Sequence, residues 1–179
     1  MKDIMNLSKK ITLGVAAAFL SSFSFAQTLQ EGIANADSHK YAAARQVFND
    51  MVTKSATAEN YFYLGNSFLT QFEPNFEKAT ENFNKGMMAD KKSYLNRVGL
   101  ASVKLGKGDK SAVTEIQNIV KDSKEKDAEV LYRAAEALTL FGGAQNADLA
   151  IDYLNKAVER SAKNGTPANY YYTLGDAYR

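Results

Sequence analysis

Small residues recur along this chain at intervals that a stack of similar units produces. Gly32, Gly65, Gly99, Ala135 and Gly175 are separated by 33, 34, 36 and 40 residues. A second series, Ala44, Ala79, Ala112 and Ala150, is separated by 35, 33 and 38. Each member lies in a stretch whose apolar residues fall at i, i+3, i+4 and i+7, one stripe of an α-helix. An unrelated helical bundle has no reason to keep two such series in step. The chain is therefore read as repeated helix pairs, with small residues where two helices approach closely.

The clearest unit is YFYLGNSFLTQFEPNFEKATENF, residues 61–83. Tyr61, Leu64, Gly65 and Phe68 form its first stripe, and Ala79 and Phe83 its second, after a break at Gln71 to Phe76 that contains Pro74. Near the end of the chain Tyr171-x2-Leu174-Gly175-x2-Tyr178 repeats Tyr61-x2-Leu64-Gly65-x2-Phe68 almost letter for letter. These residues resemble the tetratricopeptide repeat, whose pattern is W-x2-L-G-x2-Y followed by A-x3-F at a period of about 34 residues. Tyr61 and Tyr171 stand where that family has Trp, and its late Pro is mostly missing. The resemblance implies an all-α, right-handed α-solenoid of antiparallel helix pairs, with four full units and the first helix of a fifth.

On this reading the repeat domain covers residues 27–179, in units of about 27–57, 58–92, 93–126, 127–164 and an incomplete 166–179. The first unit matches mainly through Ala44-x3-Phe48 and Met51. The third carries Leu95, Val98 and Gly99, then Ala112, Ile116 and Ile119, across a Gly106-Lys107-Gly108-Asp109 turn. That turn lacks the strand, third glycine and Lys-Ser/Thr ending of a phosphate loop. The fourth carries Leu131, Ala134, Ala135 and Leu138, then Ala150, Leu154 and Ala157. Thr57, Asp127, Asp148 and Thr166 are expected helix caps, and Pro167 suits a first helical position. Tyr171, Leu174 and Tyr178 leave an apolar face that a following helix would cover, so the chain is read as the N-terminal piece of a longer protein. The alternative is a last helix folded back as an imperfect cap.

Residues 1–26 form a secretory signal peptide by pattern. Lys9 and Lys10 precede the apolar run Ile11 to Leu20, and Ser24-Phe25-Ala26 supplies a small-x-small site with cleavage before Gln27. Met5 would serve equally as a start. The run is shorter than the roughly 20 residues that span a bilayer, so no transmembrane segment is expected in the mature chain. An uncleaved anchor or a buried helix is the alternative. Export implies the periplasm, or association with the outer membrane, of a Gram-negative bacterium.

The chain has 22 basic and 20 acidic residues, and past the leader the two balance. With no basic block, electrostatics give no case for nucleic acid. There is no cysteine and one histidine, His39, in a turn beside Asp37 and Ser38. Those residue types suit a solvated turn better than a catalytic or metal set. Glu73 and Glu77 are similarly placed by a solvated helix start. No enzyme, metal or cofactor is expected.

In the family, first helices line a concave groove for peptides or partner proteins. One residue beyond each first-helix stripe, about 100° around the helix, lie Phe62 and Asn66, Tyr132 and Glu136, and Tyr172 and Asp176. An aromatic with a polar residue one turn on is a candidate groove set. The competing reading is that these rings pack between repeats. The third unit offers Asn96 and Leu100 instead. The lysine and arginine set with which family members clamp an acidic C-terminus is not present. The expected function is a non-enzymatic interaction scaffold for a protein or peptide partner. The alternatives are a docking arm for an enzyme or cell-wall-binding domain beyond Arg179, or a solenoid that self-associates.

Overall fold

The computed structural model describes residues 28–179, and these form helices without a strand. Helix α1 covers residues 28–37. It is followed by α2 (Tyr41–Lys54), α3 (Ala58–Leu69), α4 (Phe76–Ala89), α5 (Tyr94–Gly106), α6 (Ala112–Asp122), α7 (Ala128–Phe141), α8 (Ala147–Ser161) and α9 (Ala168–Ala177). The signal peptide read at residues 1–26 lies outside the described residues. The chain is an α-solenoid: α3 packs on α4, α5 on α6 and α7 on α8, and each pair packs on the next.

Local signals set several helix starts. The Thr57 hydroxyl accepts the Asn60 N–H at 3.2 Å, and the Asp127 carboxylate accepts those of Glu129 and Val130. Asn75, just after Pro74, accepts the Lys78 N–H. Two expected caps act otherwise. Asp148 lies inside the first turn of α8, which a short 3-10 turn at Ala144–Asn146 leads into. The Thr166 hydroxyl bonds Ser161 and the Val158 carbonyl, leaving Pro167 as the residue before α9.

Packing explains the spacing of the small residues. The Phe83 ring of α4 is fully buried and fills the space that side chains at Gly65 and Gly99 would need: a Cβ at either would lie 2.7 or 2.6 Å from it. One ring thus locks α3, α4 and α5 together, and Phe48 does the same against Gly32. Ala44, Ala79, Ala112 and Ala150 are completely buried where their helices cross neighbours. Buried asparagines add polar stitches between units. The Asn60 amide donates to the Met51 and Ser55 carbonyls, and the Asn96 amide to that of Ala58. Leu95 and Phe141 pack against both the α2–α4 cluster and the α5–α9 cluster, so the core is continuous.

The last unit differs. On α9 only Asn169 and Tyr170 are buried. Tyr171 and Tyr178 are exposed, and nothing lies near the space beyond Gly175. Of the stripe that elsewhere meets a second helix, Leu174 packs partly against the core while Tyr171, Gly175 and Tyr178 are open.

First helices form the inner layer, α3 packing on α5, α5 on α7 and α7 on α9. The curvature is tight enough for side chains of α3 and α7 to meet across α5. These inner helices, α3, α5 and α7, are each buried over more than a single stripe.

Candidate functional site

The concave side of the solenoid holds a cleft of about 410 Å³, walled by the α1–α2 turn, α3, α7 and α9. Its floor is an ion-pair network centred on Arg133, which is only 7% exposed. The Arg133 Nε donates to Glu129 Oε1 at 2.8 Å, and Nη1 donates to both oxygens of Glu136 at 3.1 and 3.0 Å. The guanidinium carbon lies 4.7 Å from the ring centre of Tyr132, 5.6 Å from Phe62 and 5.8 Å from Tyr63. A buried cation needs this much compensation, and here two carboxylates and three ring faces supply it. Glu136 and Glu129 hold the guanidinium far above its usual pKa, against the opposing effect of burial.

Tyrosine hydroxyls complete the network across helices. Tyr170 on α9 donates to Glu129 Oε2 at 2.9 Å, and Tyr63 on α3 donates more loosely to Oε1 at 3.4 Å. Tyr132 donates to Glu136 Oε1 at 3.1 Å, and the Asn66 amide donates to Oε2 at 3.4 Å. The Tyr132 and Tyr170 rings stack with centres 4.3 Å apart. Burial, then the adjacent carboxylates, push the Tyr63, Tyr132 and Tyr170 hydroxyls well above the usual phenol range. They therefore act as donors, and three inner helices are tied together by them.

Above this floor stand Asp37, His39 and Tyr41 on one side and Tyr172, Thr173 and Asp176 on the other. The His39 ring bonds the Tyr41 hydroxyl at 2.9 Å. Asp37 at the end of α1 and Asn169 at the start of α9 border the same cleft. Burial raises the Asp37 carboxyl above its usual pKa. Arg133 pulls it down, Glu136 pushes it up, the Asn169 side chain pulls it down, and Glu129 pushes it up.

The six residues singled out by helix offset separate into two groups. Asn66, Tyr132, Glu136, Tyr172 and Asp176 all border the cleft. Phe62 does not: it is 1% exposed, stacked on Phe83 at 5.8 Å, beneath Arg133. Phe62 is a packing residue, because the curl of the solenoid brings α7 over it. Tyr132 is also buried and shows the cleft little beyond its network, whereas Tyr172 is 74% exposed.

Arg133, Glu129, Tyr63 and Tyr170 were not singled out. Glu129, Arg133 and Glu136 are spaced i, i+4 and i+7, and Arg133 interrupts a buried stripe beside Ala134 and Ala135. An arginine in that setting with carboxylates at both flanking turns was the available signal. Nothing local marks Asp37 or Tyr41. Among the described residues no group of three or more His, Asp or Glu side chains is placed to hold a metal ion, and no helix is long and apolar enough to cross a membrane.

No protein-family model and no curated protein sequence matches the chain. Among solved structures, one described as a crystal structure of MamA protein is similar at 17% identity and a TM-score of 0.45, over 86% of this chain and 80% of that one. A structure of MamA AMB-1 is similar at 15% identity and a TM-score of 0.43, over 88% and 82% of the two chains. A third, of MamA, gives 17% identity and a TM-score of 0.43 over 82% of each. The fold stands on the helix packing described above, not on these overlaps.

Proposed function

We propose that this chain is a tetratricopeptide-type interaction scaffold that holds a segment of a partner protein in its concave cleft. The observation that carries this reading is the cleft itself. Every charged group on its floor is paired, and its walls present the exposed Tyr172 and the exposed carboxylates of Asp37 and Asp176. A preformed surface binds without much of the ordering cost that a flexible one incurs. Aromatic rings with hydroxyl tips combine contact area with hydrogen bonding, which suits peptide recognition.

The leader pattern supports a place in the bacterial envelope, where the mature chain would act as a non-enzymatic adaptor. Fractionation of a tagged chain between periplasm, membranes and cytoplasm tests this, and retention of the uncleaved form in the cytoplasm would refute it. For binding, peptides selected from a random library on the mature protein should lose about tenfold in affinity with Tyr172→Ala, a change in the range of an interface anchor. Circular dichroism should show unchanged helicity. Selected peptides that bind the variant equally well would remove the cleft from the function.

A further inference from the structure

The cleft has a sign. Its charged lining comprises Asp37, Glu136 and Asp176 against Arg133 alone, with the neutral or protonatable His39 at the mouth. Arg133 is engaged through Nε and Nη1 by Glu129 and Glu136, so two carboxylates more than balance its charge. Asp176 has Arg179 beside it, an exposed pair at the end of α9. Among the described residues Asp37 is in no ion pair; the charge of Arg133 acts on it from a distance, and those of Glu136 and Glu129 oppose it.

A second feature is independent of charge. Among the described residues, three buried asparagine oxygens have no hydrogen-bond partner, those of Asn60, Asn96 and Asn169, and of these Asn169 borders the cleft. Asn169 is 9% exposed. It lines the same cleft as Asp37 and Glu136. A buried carbonyl oxygen without a donor is costly, and an N–H group entering the cleft would satisfy it.

The surface next to the cleft adds an apolar element. His39, Tyr41, Thr70 and Leu140 also border an adjoining hollow, whose other walls include Leu69, Pro74 and Phe72. Phe72 is 96% exposed in the long α3–α4 turn. An acidic, tyrosine-walled compartment thus runs into an apolar one.

We propose that the cleft takes a cationic segment of a partner protein, with a lysine or arginine among Asp37, Glu136 and Asn169 and a neighbouring large apolar side chain against Phe72 and Leu140. Carboxylates and tyrosine ring faces both attract an ammonium or guanidinium group, and their effect is strengthened where water is partly excluded. This deepens the scaffold reading and rests on it.

Fluorescence anisotropy with labelled peptides of about twelve residues tests the inference. The peptides share a leucine-containing framework and carry lysine, glutamine or glutamate at the same positions. The lysine peptide should bind at least about tenfold tighter than the glutamine one, the glutamate peptide weakest, and added salt should narrow the gap. Asp37→Asn and Phe72→Ala should each weaken lysine-peptide binding by about three- to tenfold with helicity intact. Equal binding of all three peptides, lost with Tyr172→Ala, would overturn the charge preference and leave the groove standing. No binding by any of them would overturn both.

Discussion

Arg133 shows how a charge can be made a structural part of a helical core. Its guanidinium is buried against three aromatic rings, and Glu129 and Glu136 match it from the turns on either side. Replacing Arg133 with Gln would strand two half-buried carboxylates and loosen the tyrosines that donate to them. Breaking such a pair costs about 3–5 kcal/mol. Urea unfolding of Arg133→Gln should show a loss of that size, and a loss under about 1 kcal/mol would mean the network relaxes into solvent. Asp37 behaves in the opposite way. Its folded-state pKa is raised by burial, with Arg133 lowering it and Glu136 raising it. The native state therefore holds this proton more tightly than the unfolded chain. Its contribution is most favourable below the ordinary carboxylate pKa and is lost as pH rises through the raised value. Because Asp37 is solvent-exposed, the effect is small: Asp37→Asn should be only slightly more stable than the parent at pH 7, and thermal melts of the two should converge at acidic pH.

Among the elements, helix-to-helix distance is decided by what fills the space at each small anchor. Phe83 occupies the places of side chains at Gly65 and Gly99. Gly65→Ala and Gly99→Ala should both be destabilising, although alanine favours a helix by about 1 kcal/mol. Phe83→Ala should cost about 3–5 kcal/mol through lost burial and the cavity left behind. Gly175 has the same place in its helix but faces open space. There Gly175→Ala should be neutral or stabilising by up to about 1 kcal/mol. Chemical denaturation of the four variants compares one motif in two settings. Destabilisation by Gly175→Ala comparable to that by Gly65→Ala would contradict the open face of α9.

Across the whole molecule, the curl of the solenoid does more than stack neighbours. Tyr63 and Asn66 on α3 and Tyr170 on α9 share the carboxylates of α7, and Asn169 of α9 lines the same cleft as Asp37 at the end of α1. A linear repeat array can lose its end units separately, since each unit contacts only its neighbours. Here the inner layer couples distant units, and Leu95 and Phe141 join the two apolar clusters. Unfolding should be a single transition, with far-ultraviolet dichroism and tyrosine signals superimposed. A separate early tyrosine transition would show that α9 detaches alone.

The repeat was legible in the sequence because its determinants are local or periodic. Gly65, Ala79 and Phe83 recur in register with their counterparts, and Thr57 and Asp127 carry their capping chemistry with them. Such features need only helical geometry and a fixed spacing. Where Phe62 points was not legible, because its surroundings come from α7, far along the chain, and depend on how tightly the units curl. The same curl buries Arg133, places Asp37 opposite Asn169 and leaves Tyr172 facing the cleft. The sequence by itself determined the unit and its period, through side-chain size at helix crossings. Only the tertiary structure decided the cleft and its charge, since superhelical curvature sums small packing angles over several units and no single unit encodes it.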